Sequence, residues 1–278
     1  PEMIARCQEL GMDSMAITDH GVMYGVIDFY KEALKQGIRP ILGCEVYLTG
    51  GSRFDREVGK GEDRYYHLVL LAENNQGYAN LMKIVSTGFI DGFYYKPRVD
   101  FETLERYHEG IIALSACLAG EVSRNLTRNM YPEAKKAALR YLSIFGPEHF
   151  YLELQDHGYP EQRKVNAGLL QLHEETGIPL VATNDIHYTR KEDAVPHDIL
   201  LCLQTGKKIT DQDRLRYPGG QFYIKSEEEM RALFPYAQEA LDNTHKIAER
   251  CNVSIEFGHY HVPGYQVPAG YDTTGYLR

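Results

Sequence analysis

The chain has 278 residues, which suffices for one large α/β domain or two small ones. Its composition of 43% hydrophobic and 25% charged residues is typical of a folded globular domain and argues against a membrane protein or a disordered tail. The net charge of −9 has the wrong sign for broad neutralisation of nucleic-acid phosphates, so metals or another domain would have to supply positive potential if DNA is bound.

Helical and strand patterns alternate along the chain. Residues at three- and four-residue apolar spacing predict helices, and short β-branched apolar runs between turns predict strands. In chain order these are helix 1–10, strand 14–18, helix 24–36, strand 40–47, strand 67–72, helix 76–87, strand 110–115, helix 132–144, strand 150–154, helix 160–176, strand 180–183, and helices 226–234 and 237–250. This alternation predicts a parallel α/β sheet or barrel.

The remaining segments predict loops and a domain boundary. Residues 49–64 are rich in glycine and mixed charge, which indicates a loop. Pro1 suits the first position of a helix, so we expect the first strand of the fold upstream of this chain. The chain turns irregular after Cys251, which predicts one domain over 1–251 and a linker over 252–278.

The five cysteines do not form a recognisable framework. They lie far apart, without a Cys-x-x-Cys pair, which disfavours both disulfide bonding and a zinc knuckle. The first residues also lack the basic start and apolar stretch of a secretory signal. We therefore expect a cytoplasmic protein without membrane contact.

Polar side chains follow several predicted strands. His20 and Cys117 each follow one, and Asp185 and His187 follow another. In a barrel of parallel strands the carboxyl ends converge on one rim, where functional groups collect. Asp185 and His187 form an Asp-x-His pair whose members can reach one ion, although a capping Asp and a loop His give the same pattern. These residues predict a metal site.

Glu45, His67 and Cys117 have two interpretations each. Glu45 lies inside an apolar strand, where a carboxylate is costly to bury unless a cation or hydrogen bonds meet it. His67 is either a ligand or a satisfied core histidine. Cys117 is either a small buried residue or a thiolate ligand for a metal such as zinc.

Lys96 and Arg98 lie among aromatic residues on a segment that Pro97 stiffens, which we interpret as a loop. Two cations beside aromatic rings suit a phosphate or a nucleotide base. A surface loop whose cations extend into solvent is the alternative.

Six motifs together resemble those of the polymerase and histidinol phosphatase (PHP) family, in the branch carried by DNA polymerase III alpha subunits. They are Thr18-Asp19-His20, Gly43-Cys44-Glu45-Val46-Tyr47, His67-Leu68, Tyr95-Lys96-Pro97-Arg98, Leu114-Ser115-Ala116-Cys117-Leu118 and Asn184-Asp185-Ile186-His187-Tyr188. The segments 52–56 and 229–235 fit the polymerase branch in particular.

The resemblance implies a distorted (β/α)7 TIM-like barrel with its first strand, which carries a His-x-His pair, upstream of Pro1. It also implies up to three Zn²⁺ or Mn²⁺ ions at the rim and places the start of a polymerase palm region within 252–278. The implied ligands are His20, Glu45, His67, Cys117, Asp185 and His187.

The resemblance further implies metal-dependent phosphodiester hydrolysis, as a 3′–5′ exonuclease acting on a DNA primer end. Glu45, Asp185 and His187 would be catalytic, and Lys96 and Arg98 would bind phosphate. The implied partners are DNA, the palm and thumb of the same polymerase, a proofreading subunit and a sliding clamp. A non-catalytic module that stabilises the polymerase and docks the proofreading subunit is the alternative. An unrelated amidohydrolase barrel lacks support, since no lysine for a bridging carbamate accompanies the histidines.

Overall fold

The computed structural model describes residues 1–57, 65–217, 219–260, 262 and 264–278. Its elements, in chain order, are α1 (Glu2–Glu9), β1 (Ser14–Ile17), α2 (Val26–Lys35), β2 (Arg39–Leu48), β3 (Tyr66–Ala72), α3 (Asn75–Ile90), β4 (Phe93–Tyr94), β5 (Lys96–Val99), α4 (Phe101–Tyr107), β6 (Ile111–Leu114), α5 (Glu121–Thr127), α6 (Tyr131–Phe145), β7 (Phe150–Leu154), α7 (Pro160–Thr176), β8 (Leu180–Ala182), a 3₁₀ turn (Lys191–Asp193), α8 (Ala194–Thr205), α9 (Glu227–Leu233), α10 (Gln238–Arg250) and α11 (Thr273–Leu277). Among these described helices, none is both long and apolar enough to cross a membrane.

The strands form one curled sheet with helices packed around it. Its order is β4-β5-β2-β3-β6-β7-β8, with β1 beside the first half of β2. The pairs β1–β2, β2–β5, β6–β7 and β7–β8 are parallel. The predicted α/β class is confirmed, because the curled sheet and its surrounding helices fit a distorted TIM-like barrel.

The predicted parallel arrangement does not extend to β3, which runs antiparallel to both β2 and β6. Parallel neighbours need a crossover connection, usually a helix, and the described part of the β2–β3 connection contains none. Its residues 58–64, which belong to the predicted loop 49–64, lie outside the described range. The reversal matters for the site, because it places His67 opposite Tyr47 at the carboxyl end of β2.

The predicted loop around Lys96 is also wrong. Phe93 pairs with Pro97 in the β4–β5 hairpin, and Arg98 pairs in parallel with Tyr47 of β2. Residues 93–96 are all aromatic or basic and Pro97 follows them, so the segment lacks the apolar–polar alternation that predicts a strand. Helices α4, α5, α8 and α11 were likewise not predicted, since they are short or lack a clear apolar face.

Alternation along β3 divides the core into two parts. Leu68 and Leu70 pack outward against the surrounding helices, whereas Val69 and Leu71 face the interior of the curled sheet. Ile247 and Cys251, at the end of α10, belong to the interior cluster and cover it from one side. His67 has the same parity as the interior residues, so its side chain lies at the open rim above this inner core.

Candidate metal centre

Glu45 is the centre of the site. It is 5% exposed, and its two carboxylate oxygens contact two different histidines. Oε1 lies 2.7 Å from Nδ1 of His67, and Oε2 lies 3.5 Å from Nδ1 of His20. The ligand atoms of these three residues all lie within 4.8 Å of one another. A parallel β-bridge between His20 and Glu45 fixes the loop after β1 against β2.

Cys117 joins this cluster from the end of β6. Its Sγ lies 3.7 Å from Oε1 of Glu45 and 3.6 Å from Nδ1 of His67. The chain reaches this position through Ala116, whose φ of 64° is in the left-handed region. The carboxylate of Glu153 accepts the N–H of Ala116 at 2.9 Å, which holds the turn in place.

Asp185 and His187 lie on the loop after β8. Nδ1 of His187 lies 2.9 Å from the carbonyl oxygen of Asp185, and because a carbonyl only accepts, Nδ1 carries the proton. The other ring nitrogen, Nε2, is therefore the one suited to a metal. The ring of His187 lies 6.5 Å from that of His20, centroid to centroid. Asp185 adopts a φ of 43°, a strained value for a residue with a side chain.

Burial and neighbouring charges shift the pKa values of Asp185, Glu45 and Cys117. Burial and then the charge of Glu45 raise the pKa of Asp185 to about 6. Burial acts to raise the pKa of Glu45 as well, but the hydrogen bond from His67 and the charge of His20 bring it below its usual value. Burial raises the pKa of the Cys117 thiol, and the carboxylates of Glu45 and Asp185 add to this rise. Two carboxylates that repel each other at close range are stabilised by a cation.

The donor set fits a divalent metal ion. Imidazole nitrogens, carboxylate oxygens and one sulfur are ligands of zinc, and carboxylates with imidazoles also suit manganese. The residues that could hold the ions are His20, Glu45, His67, Cys117, Asp185 and His187. Direct contacts join His20, Glu45, His67 and Cys117, the ring of His187 lies 6.5 Å from that of His20, and the charge of Glu45 acts on Asp185.

The two predicted phosphate-binding residues are placed differently. Nζ of Lys96 lies 5.3 Å from the ring centroid of Tyr47, whose ring in turn stacks on His20 at 6.2 Å. Arg98 is 3% exposed, and its guanidinium donates to the carbonyls of Gly92 and Arg53 at 3.1 and 3.0 Å. Lys96 therefore borders the cluster, whereas the described contacts of Arg98 tie it to the segment before β4 and to the loop after β2.

Several side chains around the cluster were not identified from the sequence. Tyr217 lies 4.7 Å from the ring of His187, and His197 lies 5.7 Å from it. Tyr217 comes from an irregular segment, so no periodicity could have indicated it. Glu153 is different, because it lies in an apolar strand just as Glu45 does and could have been found by the same signal.

The chain is similar to known proteins in sequence. A family model described as "PHP domain" matches residues 1–157. The DNA polymerase III subunit alpha of Treponema pallidum is 45% identical over 266 residues, which cover 96% of this chain and 23% of that protein. The corresponding subunits of Borreliella burgdorferi and Thermus aquaticus are 44% and 43% identical over 275 and 272 residues. These two alignments cover 99% and 95% of this chain, and 24% and 22% of the respective relatives.

The chain therefore spans less than a quarter of the length of these curated relatives. A solved amidohydrolase from Chromobacterium violaceum, with bound sulfate and no metal, aligns with 89% of this chain and 75% of its own. Its identity of 15% and TM-score of 0.23 are too low to support a structural argument.

Proposed function

This chain belongs to the PHP domain family, and from that premise we propose that it is the PHP domain of a replicative DNA polymerase III alpha subunit. We propose further that its metal centre hydrolyses phosphodiesters at the 3′ end of a DNA strand, in support of proofreading. The observation that carries the proposal is the cluster of Glu45, His67, His20 and Cys117, with Asp185 close enough to Glu45 for their charges to interact. The boundary after Cys251 and the palm region beyond it are part of the same proposal.

The residues would divide the work as follows. Glu45 and Asp185 would neutralise bound cations, and His20, His67, Cys117 and His187 would complete their coordination. A bound divalent ion would supply hydroxide near neutral pH and stabilise the charge that develops on phosphorus. The side chain of His20 is 44% exposed, so the centre is open to solvent on that side. Lys96 borders the same side and would orient the phosphate with its ammonium group.

Buried neighbours would hold these ligands in place. The proton on Nδ1 of His187 is fixed by the carbonyl of Asp185, which leaves Nε2 for coordination. His67 is oriented by Glu45 on one side and by the ring of Tyr47, 5.3 Å away, on the other. A centre supported in this way keeps its geometry while the substrate binds and leaves.

The partners follow from the same proposal. The primer 3′ end would be the substrate, and the palm and thumb of the polymerase would supply most of the grip on DNA, since the chain itself carries a net charge of −9. A proofreading subunit and a sliding clamp would associate through the longer protein. The location would be the cytoplasm, where a bacterial chromosome is copied.

A non-catalytic module is the second candidate. The acidic net charge favours it, because the chain offers little phosphate-neutralising surface of its own. In that case the metal would stabilise the fold, and the domain would support the polymerase and dock a separate proofreading subunit.

The test uses the full-length protein that contains this chain. Zn and Mn content is measured, and hydrolysis of a 3′-labelled primer is followed for the unmodified protein, Asp185→Asn and Asp28→Asn. Loss of the carboxylate in Asp185→Asn should lower hydrolysis at least about 100-fold, whereas Asp28, exposed on α2, is a matched control that should change nothing. Unchanged hydrolysis in Asp185→Asn would contradict the exonuclease. Bound metal without hydrolysis in the unmodified protein would favour the non-catalytic module.

A further inference from the structure

Four exposed aromatic side chains lie outside the six predicted ligands, three of them in ring contact and the fourth two residues after Phe93 at the hairpin turn. Tyr24, Phe89, Phe93 and Tyr95 are 81%, 37%, 54% and 68% exposed. The ring centroids of Tyr24 and Phe89 lie 6.4 Å apart, and those of Phe89 and Phe93 lie 6.2 Å apart. We call these four residues the aromatic ridge. Exposed aromatic groups this close together typically mark a binding surface.

The aromatic ridge adjoins the metal centre. Gly21, next to His20, packs so closely on the β4–β5 hairpin that a Cβ there would lie 2.9 Å from Cγ of Pro97. Lys96, on the same hairpin, reaches over the ring of Tyr47, which stacks on His20. The hairpin that carries Phe93 and Tyr95 therefore packs beside the exposed residue His20, and it also carries the cation Lys96.

The backbone at the hairpin turn supports a functional interpretation. Tyr95, between β4 and β5, has a φ of 61°, a left-handed conformation that is unfavourable for a residue with a side chain. Its ring packs edge-on against Tyr94 at 4.6 Å and is still more than half exposed. Strain of this kind persists where the surrounding structure requires it and is concentrated at binding sites.

We propose that the aromatic ridge stacks the unpaired bases of a single DNA strand whose phosphodiester lies at the metal centre. This inference rests on the proposed function and names its substrate as a frayed or mismatched 3′ end. Aromatic faces bind any base by stacking, and Lys96 stands where the intervening phosphate would pass. With a net charge of −9, this chain's own share of the binding has to come from stacking rather than from broad phosphate neutralisation. Bases in a duplex already stack on each other and cannot use the ridge.

Photo-crosslinking tests the contact directly in the full-length protein. A primer with 5-iododeoxyuridine at a mismatched 3′ end is irradiated in EDTA, so that hydrolysis does not interfere, and the crosslinked peptides are identified by mass spectrometry. We expect crosslinks at Tyr24 or within residues 89–95. Phe93→Ala should reduce them about tenfold, Phe93→Tyr should retain them, and Tyr260→Ala, at a 94% exposed tyrosine outside the ridge, is the matched control. Crosslinks confined to other parts of the protein would overturn the proposal.

Kinetics separate this inference from the proposed function. The ratio of kcat/KM on mismatched ends to kcat/KM on paired ends should fall about tenfold in Phe93→Ala. If the unmodified protein hydrolyses neither DNA nor a small phosphodiester but still crosslinks at the ridge, the proposed function fails and the ridge proposal stands. If hydrolysis occurs with no ridge crosslinks and an unchanged ratio, the ridge proposal fails alone. A protein subunit could instead copurify with the unmodified protein and be lost from Phe93→Ala, with no DNA crosslinks at the ridge. That result would assign the ridge to a protein partner and would also overturn the ridge proposal.

Discussion

Glu153 lies on β7, is 4% exposed, and is coupled by charge to two of the predicted ligands. Its carboxylate accepts the N–H of Ala116 at 2.9 Å and the amide of Gln155 at 3.0 Å, and it accepts the hydroxyl of Thr183. Burial nevertheless raises the pKa of Glu153 to about 7, and the charges of Glu45 and Asp185 contribute to this rise. Glu153 thus connects the turn before Cys117 with the end of β8.

The raised pKa of Glu153 predicts a pH-dependent stability. Folding raises the pKa of this carboxyl group from 4.5 to about 7, so between pH 4.5 and pH 7 the folded state binds a proton that the unfolded state has lost. Its contribution to the free energy of unfolding therefore falls as the pH rises through this range. The two pKa values allow a fall of at most about 3 kcal/mol. Urea unfolding in EDTA at pH 5.5 and pH 8 should show a smaller fall for Glu153→Gln than for the unmodified protein. Exposed Glu133→Gln is the control, and equal slopes in all three proteins would refute the assignment.

Cys117 predicts a preference among metals. Replacement by serine keeps the size of the side chain but exchanges a soft sulfur for a hard oxygen, and sulfur favours zinc over manganese. We expect Cys117→Ser to lower the affinity for Zn²⁺ about 10- to 100-fold and that for Mn²⁺ by much less. Competition with a chromogenic chelator measures both affinities, and Cys202→Ala, at a buried cysteine on α8, is the control. An equal loss for both metals would contradict the zinc preference, and no loss for either would place Cys117 outside the coordination shell.

Single residues also show what sequence could predict of the site. Glu45 stood out because a carboxylate in an apolar strand needs a partner, and the structure gives it two histidines. The same rule applies to Glu153, yet its partners are the backbone N–H of Ala116 and the side-chain amide of Gln155, neither of which is a predicted metal ligand. Sequence reveals that a buried charge must be compensated, but which group compensates it depends on contacts between segments far apart in the chain. Arg98 illustrates the same limit, since its carbonyl partners on Gly92 and Arg53 could not be anticipated.

At the scale of elements, α3 is placed by a close backbone contact. A Cβ on Gly77, in the first turn of the helix, would lie 1.8 Å from the carbonyl oxygen of Gly110, just before β6. Asn74 caps the same turn by accepting the N–H of Gly77 at 2.9 Å. The helix therefore docks against the strand connection through glycine at both points of contact.

This contact predicts a large effect of a small substitution. Gly77→Ala should lower the free energy of unfolding by about 2 to 3 kcal/mol, because the backbone on both sides must move to make room for one methyl group. The midpoint of urea unfolding measures this. Gly264→Ala is the matched control, since a Cβ there meets nothing within 4 Å. A similar midpoint for both variants would show that α3 can shift at little cost.

Elements were predictable where local pattern and tertiary environment agree. The limits of β7 and α7 match the prediction to the residue, because an apolar run and an amphipathic helix each have one favourable environment. The direction of β3 was not predictable, since its apolar run fits either orientation and the reversal depends on a connection without a described helix. The β4–β5 hairpin was not predicted for a different reason. Strand β5 pairs with β2, which is distant in the chain, and this pairing cannot be seen in the local sequence.

At the scale of the whole molecule, the proposed metal centre draws on distant parts of the chain. Its predicted ligands come from the loop after β1, from β2, from the start of β3, from the turn after β6 and from the loop after β8. Each of these segments belongs to a different strand or follows a different strand. The carboxylates of Glu45 and Asp185, which lie on two of them, repel each other. Without a cation, this repulsion opposes the curling of the sheet that brings the segments together.

Metal removal should therefore destabilise the entire fold. A ligand present at about 100 times its dissociation constant stabilises the folded state by about 2.7 kcal/mol, and for a chain of this size that corresponds to about 5 to 8 °C in Tm. Calorimetry of the zinc-loaded protein before and after addition of EDTA measures the shift, and added Zn²⁺ in excess should restore the original Tm. In Asp185→Asn the same chelator should cause a smaller shift, since one charged ligand is already absent and less binding energy remains to be lost. Melting temperatures that do not respond to EDTA in either protein would mean that the rim residues share no cation, since a bound ion linking five segments has to contribute to their stability.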